Sequence, residues 1–480
     1  MQGLKITGMT PAERSAPEAL PTDTLEALRA SVRGGLPRAI AELSELVRIP
    51  SVSWDGFDPA HVEASAQRTA ELLRDLGVFD TVIVDRAPGP DGVLGQPAVI
   101  ARRAPAPGFA TVLLYAHHDV QPPGAEGDWT SPPFEPTLRG DRLYARGVAD
   151  DKAGVMAHVA AIRALVETAG APELGLVAFI EGEEEFGSRS FGALLERHHD
   201  LLAADVIVVA DSDNWSVETP SLTVGLRGNA TFSLTVSTLE HASHSGMYGG
   251  AVPDAMLATI RLLATLHDAD GSVAVAGMRS HDQAVPSIPE QRVRDEAGLL
   301  EGVTPIGRGE FLHRLWAQPS ITVTGIDAPS VQNASNTLAP SITVKISARV
   351  APGQSAAEAF AAVEEHLRAN APFGAHLTFG SIDLGEPFLV DASGWAVDEA
   401  RAAMTDAWGA EPVLAGVGGS IPFIAQLAET FPDAQVLVTG VEDPHTRAHS
   451  PDESLHLGVF QRAVLTEAVL LTRIQNHRVH

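Results

Sequence analysis

At 480 residues the chain exceeds the roughly 250–300 residues that one hydrophobic core organises, so two domains are expected. Its 61 acidic against 33 basic side chains give a net charge of −28, which argues against nucleic-acid and anionic-membrane partners. There is no cysteine, so disulfides and thiolate-held zinc are excluded, and any metal must be bound by His, Asp or Glu.

The first twenty residues, 1–20, contain no apolar core of signal-peptide type. No run approaches the roughly 18 apolar residues of a membrane span, so a cytoplasmic protein is expected. Residues 22–48 place Leu25, Leu28, Val32, Leu36, Ile40, Leu43 and Val47 at helical spacing, with Gly34-Gly35 as a candidate break. A second helix is predicted at about 60–77, then strands at 81–85, 97–102 and 111–116.

Residues 111–122 read TVLLYAHHDVQP. The apolar half is a central strand, and His117, His118 and Asp119 sit at its C-terminal edge, where open α/β sheets build their sites. In extended backbone 117 and 119 point one way and 118 the other, so His117 can ligate a metal while Asp119 orients it. In LYARGVADDKAG, 143–154, Asp150 and Asp151 precede a helix running to about 168; helix caps and a carboxylate shared by two cations both fit. Residues 174–188, LGLVAFIEGEEEFGS, are a buried strand running into Glu181, Glu183, Glu184 and Glu185. One like-charged pair at ~4 Å costs roughly 4 kcal/mol at an effective dielectric near 20, so either water or a cation must screen this turn. After a helix at 189–202, with His198 and His199 on its surface, ADVIVVADSDN (204–214) is another buried strand, ending in Asp211 and Asp213.

Near residue 218 the texture changes to Thr/Ser-rich segments alternating with period 2, as in 220–238. HASHSGMYGGAVPDAM (241–256), a helix at 253–267, strand 342–350, helix 355–369 and strand 375–383 follow. From 391 the α/β pattern returns with a helix at 395–408, GVGGSIPFI at 416–424, a strand at 434–441 and the loop carrying His445 and His449. Ser450, Pro451, Asp452 and Glu453 read as the start of the last helix. The fold class is therefore α/β with two domains: a catalytic domain with a central mixed sheet, 1–221 and 389–480, and an inserted α+β domain, 222–388.

His117, Asp150, Glu184 or Glu185, Asp213 and His449 together supply the set that two neighbouring cations need, one shared carboxylate and two further ligands each. Nitrogen and oxygen donors without sulfur suit Zn²⁺, with Mn²⁺ or Co²⁺ as alternatives.

The motifs YAHHDVQP, ARGVADDK, EGEEEFGS, SDN, HSGMYGG, GGSIP and AHS, in this order, resemble the M20 metallopeptidase family in its carnosinase-like dipeptidase branch. The resemblance runs from LVRIPSVS (46–53) to AHSPDE (448–453). It implies His117, Asp150, Glu185, Asp213 and His449 as metal ligands, Asp150 bridging, with Asp211 a weaker candidate than Asp213. It implies Asp119 as the residue orienting His117, Glu184 as general base, and a cis peptide between Asp150 and Asp151. It implies that the insert is a lid that forms a homodimer, with His244 reaching the partner's site, and that Arg349, helped by Thr337 and Ser420, binds the substrate carboxylate. The expected reaction is cleavage of dipeptides or short peptides by a hydroxide bridging two metals. Alternatives are an N-acyl-amino-acid amidohydrolase of the same fold and, remotely, a non-catalytic dimeric scaffold. The chain departs from the branch at Gly416-Val417, where Arg-Glu is common, which leaves specificity open.

Overall fold

A computed structural model describes residues 17–390, 392–418 and 422–478. They form two units: Met1–Val224, Val390–Ala415 and Gln426–His480 make the first, and Gly225–Leu389 with Gly416–Ala425 the second. The segment at 416–425 groups with the second unit rather than with the residues on either side of it.

The first unit is built on a mixed sheet. Strands Thr81–Asp85, Ala98–Arg103, Gly175–Glu181, Thr111–His117, Val206–Val209 and Gln435–Val438 follow one another across it, and Ser221–Leu226 comes next as the chain passes into the second unit. The four strands from Gly175–Glu181 to Gln435–Val438 run parallel, and Ala98–Arg103 and Thr81–Asp85 are antiparallel at one edge. Every residue of Thr111–His117 and Gly175–Glu181 is buried, as a two-sided parallel sheet requires. Helices Thr22–Val47, Lys152–Ala169 and Leu457–Asn476 pack together on one face. Gly34-Gly35 does not break the first of these. Its buried stripe, Leu28, Val32, Ala39, Leu43 and Leu46, continues on both sides of the glycines, and tertiary packing outweighs their low propensity.

The last helix differs from expectation. It begins at Leu457, where His456 Nδ1 accepts from the Gly458 and Val459 amides, and not at Ser450. Ser454–His456 is a strand paired with Arg142–Tyr144. Asp452 and Glu453 are held away from any first helical turn, because Asp452 accepts from Thr130 and Arg139 and Glu453 accepts from Arg146.

The second unit is a four-stranded antiparallel sheet in the order Ser320–Asp327, Ser341–Val350, Gly228–Ser237, His376–Gly385. Gly228–Ser237 alternates strictly between buried and half-buried residues. Its inner face, with Phe232, Leu234, Val344 and Ile346, packs on helices Ala255–Leu263 and Ala356–Ala369. Among the described residues, no helix is long and apolar enough to cross a membrane.

Candidate metal centre

Three parallel strands end at one edge of the first sheet and place the acidic and imidazole groups there. His117 is the last residue of its strand and pairs in register with Glu181. On the other side Tyr115 pairs with Val209, and the Ala210 amide donates to the Tyr115 carbonyl at 3.0 Å. Two residues further along this register, Asp211 is level with His117.

His117 Nε2 lies 3.1 Å from Asp150 Oδ1, while the other oxygen, Oδ2, lies 2.9 Å from His449 Nε2. His449 Nε2 is also 3.2 Å from Glu185 Oε2. Two triads result, His117–Asp150–Asp211 and Asp150–Glu185–His449, and within each the potential ligand atoms all lie within 4.8 Å of one another. Asp150 belongs to both. The donors are all imidazole nitrogen or carboxylate oxygen, and this set fits two divalent cations with Asp150 between them.

Asp213 was expected in this set, but the structure places Asp211 there. Asp213 forms a parallel backbone bridge with Glu442, and neither triad includes it. The physical reason is the register: continued two residues past Tyr115 and Val209, it sets Asp211 rather than Asp213 level with His117.

Asp119 ties the first strand to the acidic turn. Its Oδ1 lies 3.4 Å from His117 Nδ1 and accepts from the Glu184 amide at 3.1 Å. Its Oδ2 accepts from Ser53 Oγ at 2.7 Å and from the Glu185 amide at 3.1 Å. The turn itself is a short 3-10 segment, Glu184–Phe186, closed by Gly187 at φ 87°, a conformation that glycine adopts without a Cβ penalty. Glu185 is fixed by the Gln121 amide at 3.1 Å and Gln121 Nε2 at 2.7 Å. Glu184 keeps its side chain 18% exposed, with Oε2 3.9 Å from His117 Nε2.

The Asp150–Asp151 peptide is cis. Glu453 holds this loop: it accepts from the amides of Gly147, Ala149 and Asp150 at 3.0, 3.0 and 3.2 Å and from Arg146 Nη1 at 2.7 Å. The sequence gives no sign of that role, because Ser-Pro-Asp-Glu is also a helix-start pattern. Glu183 is buried, not solvated, and accepts from Ser190 and from the Gln96 amide. Glu181 accepts from Tyr115 Oη at 2.6 Å, and burial pushes it up to about 8. His118 faces away, with Nε2 2.8 Å from the Pro97 carbonyl, and burial lowers it to about 4. Lys152 Nζ donates to the Leu46 and Ile49 carbonyls and so anchors the end of the first helix.

The electrostatics show a cluster that needs positive charge. Burial, then the Asp150 charge, pushes Glu185 up to about 7. Burial likewise raises Asp211 to about 6, helped by Asp150 and Asp213 and opposed by His117. Hydrogen bonds to Asp150 and Glu185 raise His449 to about 11. Burial works against ionised Asp150, yet its hydrogen bonds to His117 and His449 prevail and hold it well below the usual carboxylate range.

The remaining expected residues lie in the second unit. His244 and Thr337 are directly paired in a two-stranded ladder, and His244 Nδ1 accepts from the Gly246 amide at 3.0 Å. Arg349 is elsewhere, near the end of Ser341–Val350, opposite Asn229 and Ser320. The eight steps from Ser341 to Arg349 span roughly 27 Å at about 3.4 Å each, so Thr337 keeps company with His244 and not with Arg349. Gly416 has a steric role: a Cβ there would lie 2.7 Å from the Trp316 side chain. Ser420 and residues 1–16 are outside the described residues.

A family model for "Peptidase family M20/M25/M40" matches residues 113–473. The chain is 36% identical over 440 residues to a cysteinylglycine-S-conjugate dipeptidase of Corynebacterium striatum, covering 90% of this chain and 95% of that one. It is 28% identical over 409 residues to the beta-Ala-His dipeptidase of Rattus norvegicus, with 81% and 82% covered. Among solved structures, the di-peptidase Dug1p from Saccharomyces cerevisiae shares the fold with a TM-score of 0.82 at 22% identity, covering 95% of this chain and 100% of that one.

Proposed function

Because the chain belongs to peptidase family M20/M25/M40 and is a metallopeptidase of dipeptidase type, we propose that it hydrolyses the amide bond of dipeptides bearing a free carboxylate, at a two-metal centre. The observation that carries this reading is Asp150, whose two oxygens face His117 and His449 separately and which belongs to both triads. His117 and Asp211 would hold one cation, Glu185 and His449 the other, and Asp150 both; zinc suits these donors best. When bound, two such ions polarise the amide carbonyl and lower the pKa of water.

Each further role falls to a residue of the chain. Glu184 is the general base: it is next to the His117 triad, part-exposed, and burial raises it well above the ordinary carboxylate value. It takes a proton from the attacking water and returns it to the leaving amine. Asp119 orients His117 and, through the Glu184 and Glu185 amides, fixes base and ligand relative to one another. Arg349 selects the substrate carboxylate, and a guanidinium fork suits that group. His244 stabilises the oxyanion. The separation of His244 and Thr337 from Arg349 supports a homodimer in which His244 and Thr337 serve the site of a second copy.

The test uses Glu184→Gln on metal-reconstituted protein with a panel of dipeptides and N-acyl-amino acids. The expected result is dipeptide turnover by the wild type, weak or no cleavage of the acyl series, and a loss of roughly 10²–10⁴-fold in kcat for the variant with metal content unchanged. Preference for the acyl series would instead make the chain an N-acyl-amino-acid amidohydrolase, and full activity of the variant would remove Glu184 from the mechanism.

A further inference from the structure

The second unit contains a cavity of about 460 Å³ that the peptidase reading leaves unused. This lies within the roughly 300–1,000 Å³ range of small-ligand pockets. Its walls include Val293, Leu299, Val303, Ile306, Phe311 and Leu315, and none of the residues of the two triads lines it. One ionised group reaches this apolar space from a nearly buried position: Arg227, 7% exposed.

Among the described residues, Arg227 is bonded only to neutral acceptors. Nε donates to the Gly418 carbonyl at 3.0 Å, and Nη1 to the Gln318 carbonyl at 3.1 Å, Ser320 Oγ at 3.3 Å and the Arg314 carbonyl at 3.4 Å. Nη2 makes no hydrogen bond and no carboxylate pairs with this guanidinium among the described residues. The chain has 61 carboxylates for 33 cations, so acidic partners are not scarce. A buried cation left without a counter-charge is costly, and the mouth of an apolar cavity is where a ligand can supply one. Arg349 adds to the local positive charge, and burial together with that neighbour lowers Arg227 to about 10.

We propose that this cavity binds a small amphipathic monocarboxylate, its aliphatic chain against the Val293–Leu315 wall and its carboxylate on Arg227 Nη2. A monoanion fits better than a phosphate, because the cavity offers one uncommitted guanidinium nitrogen in a lining that is mostly apolar. The site does not depend on the peptidase reading.

Calorimetric titration of the metal-loaded wild type with octanoate, octan-1-ol and acetate tests this. Octanoate binds once per chain and at least about ten-fold more tightly than the alcohol, which lacks the charge, or acetate, which lacks the chain. Val293→Trp fills the wall without touching the bonds of Arg227; it weakens octanoate about ten-fold or more and leaves dipeptide turnover unchanged. Arg227→Met makes octanoate and octan-1-ol bind alike. Equal binding of octanoate and octan-1-ol by the wild type overturns the proposal, as does no binding at all. Octanoate binding that Val293→Trp leaves intact is carboxylate capture elsewhere, at the metal centre, and also overturns it.

Discussion

Asp150 offers in one residue what the proposed two-metal chemistry would ask of the site. One carboxylate oxygen faces His117 and the other His449, so a single side chain can serve two cations. The same reasoning separates Asp211 from Asp213, two residues apart at the end of one strand. Asp211→Ala is expected to reduce bound metal by about one ion per chain and to abolish most turnover, because it removes a ligand. Asp213→Ala leaves metal content near that of the wild type. Metal analysis of both variants after dialysis checks this, and the reverse pattern would return the role to Asp213. The sequence could not make this choice. It shows two aspartates after an apolar run; which one reaches the edge depends on Val209 pairing with Tyr115, a long-range register that local pattern does not encode. His117 and Asp150 were easier to pick out, since one ends an apolar run and the other stands just before a helix, whereas residue pattern alone left Glu184 and Glu185 as alternatives.

At the scale of elements, the helix Lys152–Ala169 fastens the site from behind. His158 on this helix places Nε2 2.9 Å from the Tyr115 carbonyl and Nδ1 2.8 Å from Glu467. Two acceptors call for two N–H groups, which only the protonated ring carries. Burial alone would lower its pKa, but the charge and hydrogen bond of Glu467 outweigh that and raise it above the ordinary 6.5. A raised folded-state value means that His158 stabilises the fold fully below the unfolded value of about 6.5 and that this contribution is lost as pH rises through the folded value. Urea unfolding of the wild type and His158→Gln should therefore differ most in mildly acidic buffer and converge in alkaline buffer. A gap that widens with rising pH would contradict this. Elements were legible where pattern and packing agree, as in the alternating strand Gly228–Ser237 and the helix Ala356–Ala369 capped by Ser355. The misplaced start of the last helix shows the opposite case. Ser450 to Glu453 carry the chemistry of a helix N-terminus, yet buried Arg146 and three loop amides bind Glu453 more effectively than a first turn would.

For the whole molecule, the reading requires two chains as well as two metals. His244 and Thr337 adjoin the start of Ser341–Val350 and Arg349 its end, so one chain's insert offers them in different places. If His244 completes the site of a second copy, Glu184→Gln and His244→Ala are each nearly inactive, and unfolding and refolding them together restores turnover through mixed dimers. Activity no greater than the sum of the separate variants would place His244 in its own chain's site or outside the mechanism. Composition indicated the scale of this arrangement, two domains and a cysteine-free metal site, but not the pairing of Thr337 with His244, which arises only when distant strands meet.

The central claim is the shared carboxylate, and metal-dependent turnover tests it most directly. Metal-free protein is titrated with Zn²⁺ while bound ions per chain and hydrolysis of a dipeptide are followed together. The account predicts that activity rises to its plateau as the second ion per chain binds, and that Asp150→Ala neither holds the pair nor turns over. Full activity at one ion per chain, or a wild-type metal content in Asp150→Ala, would contradict it.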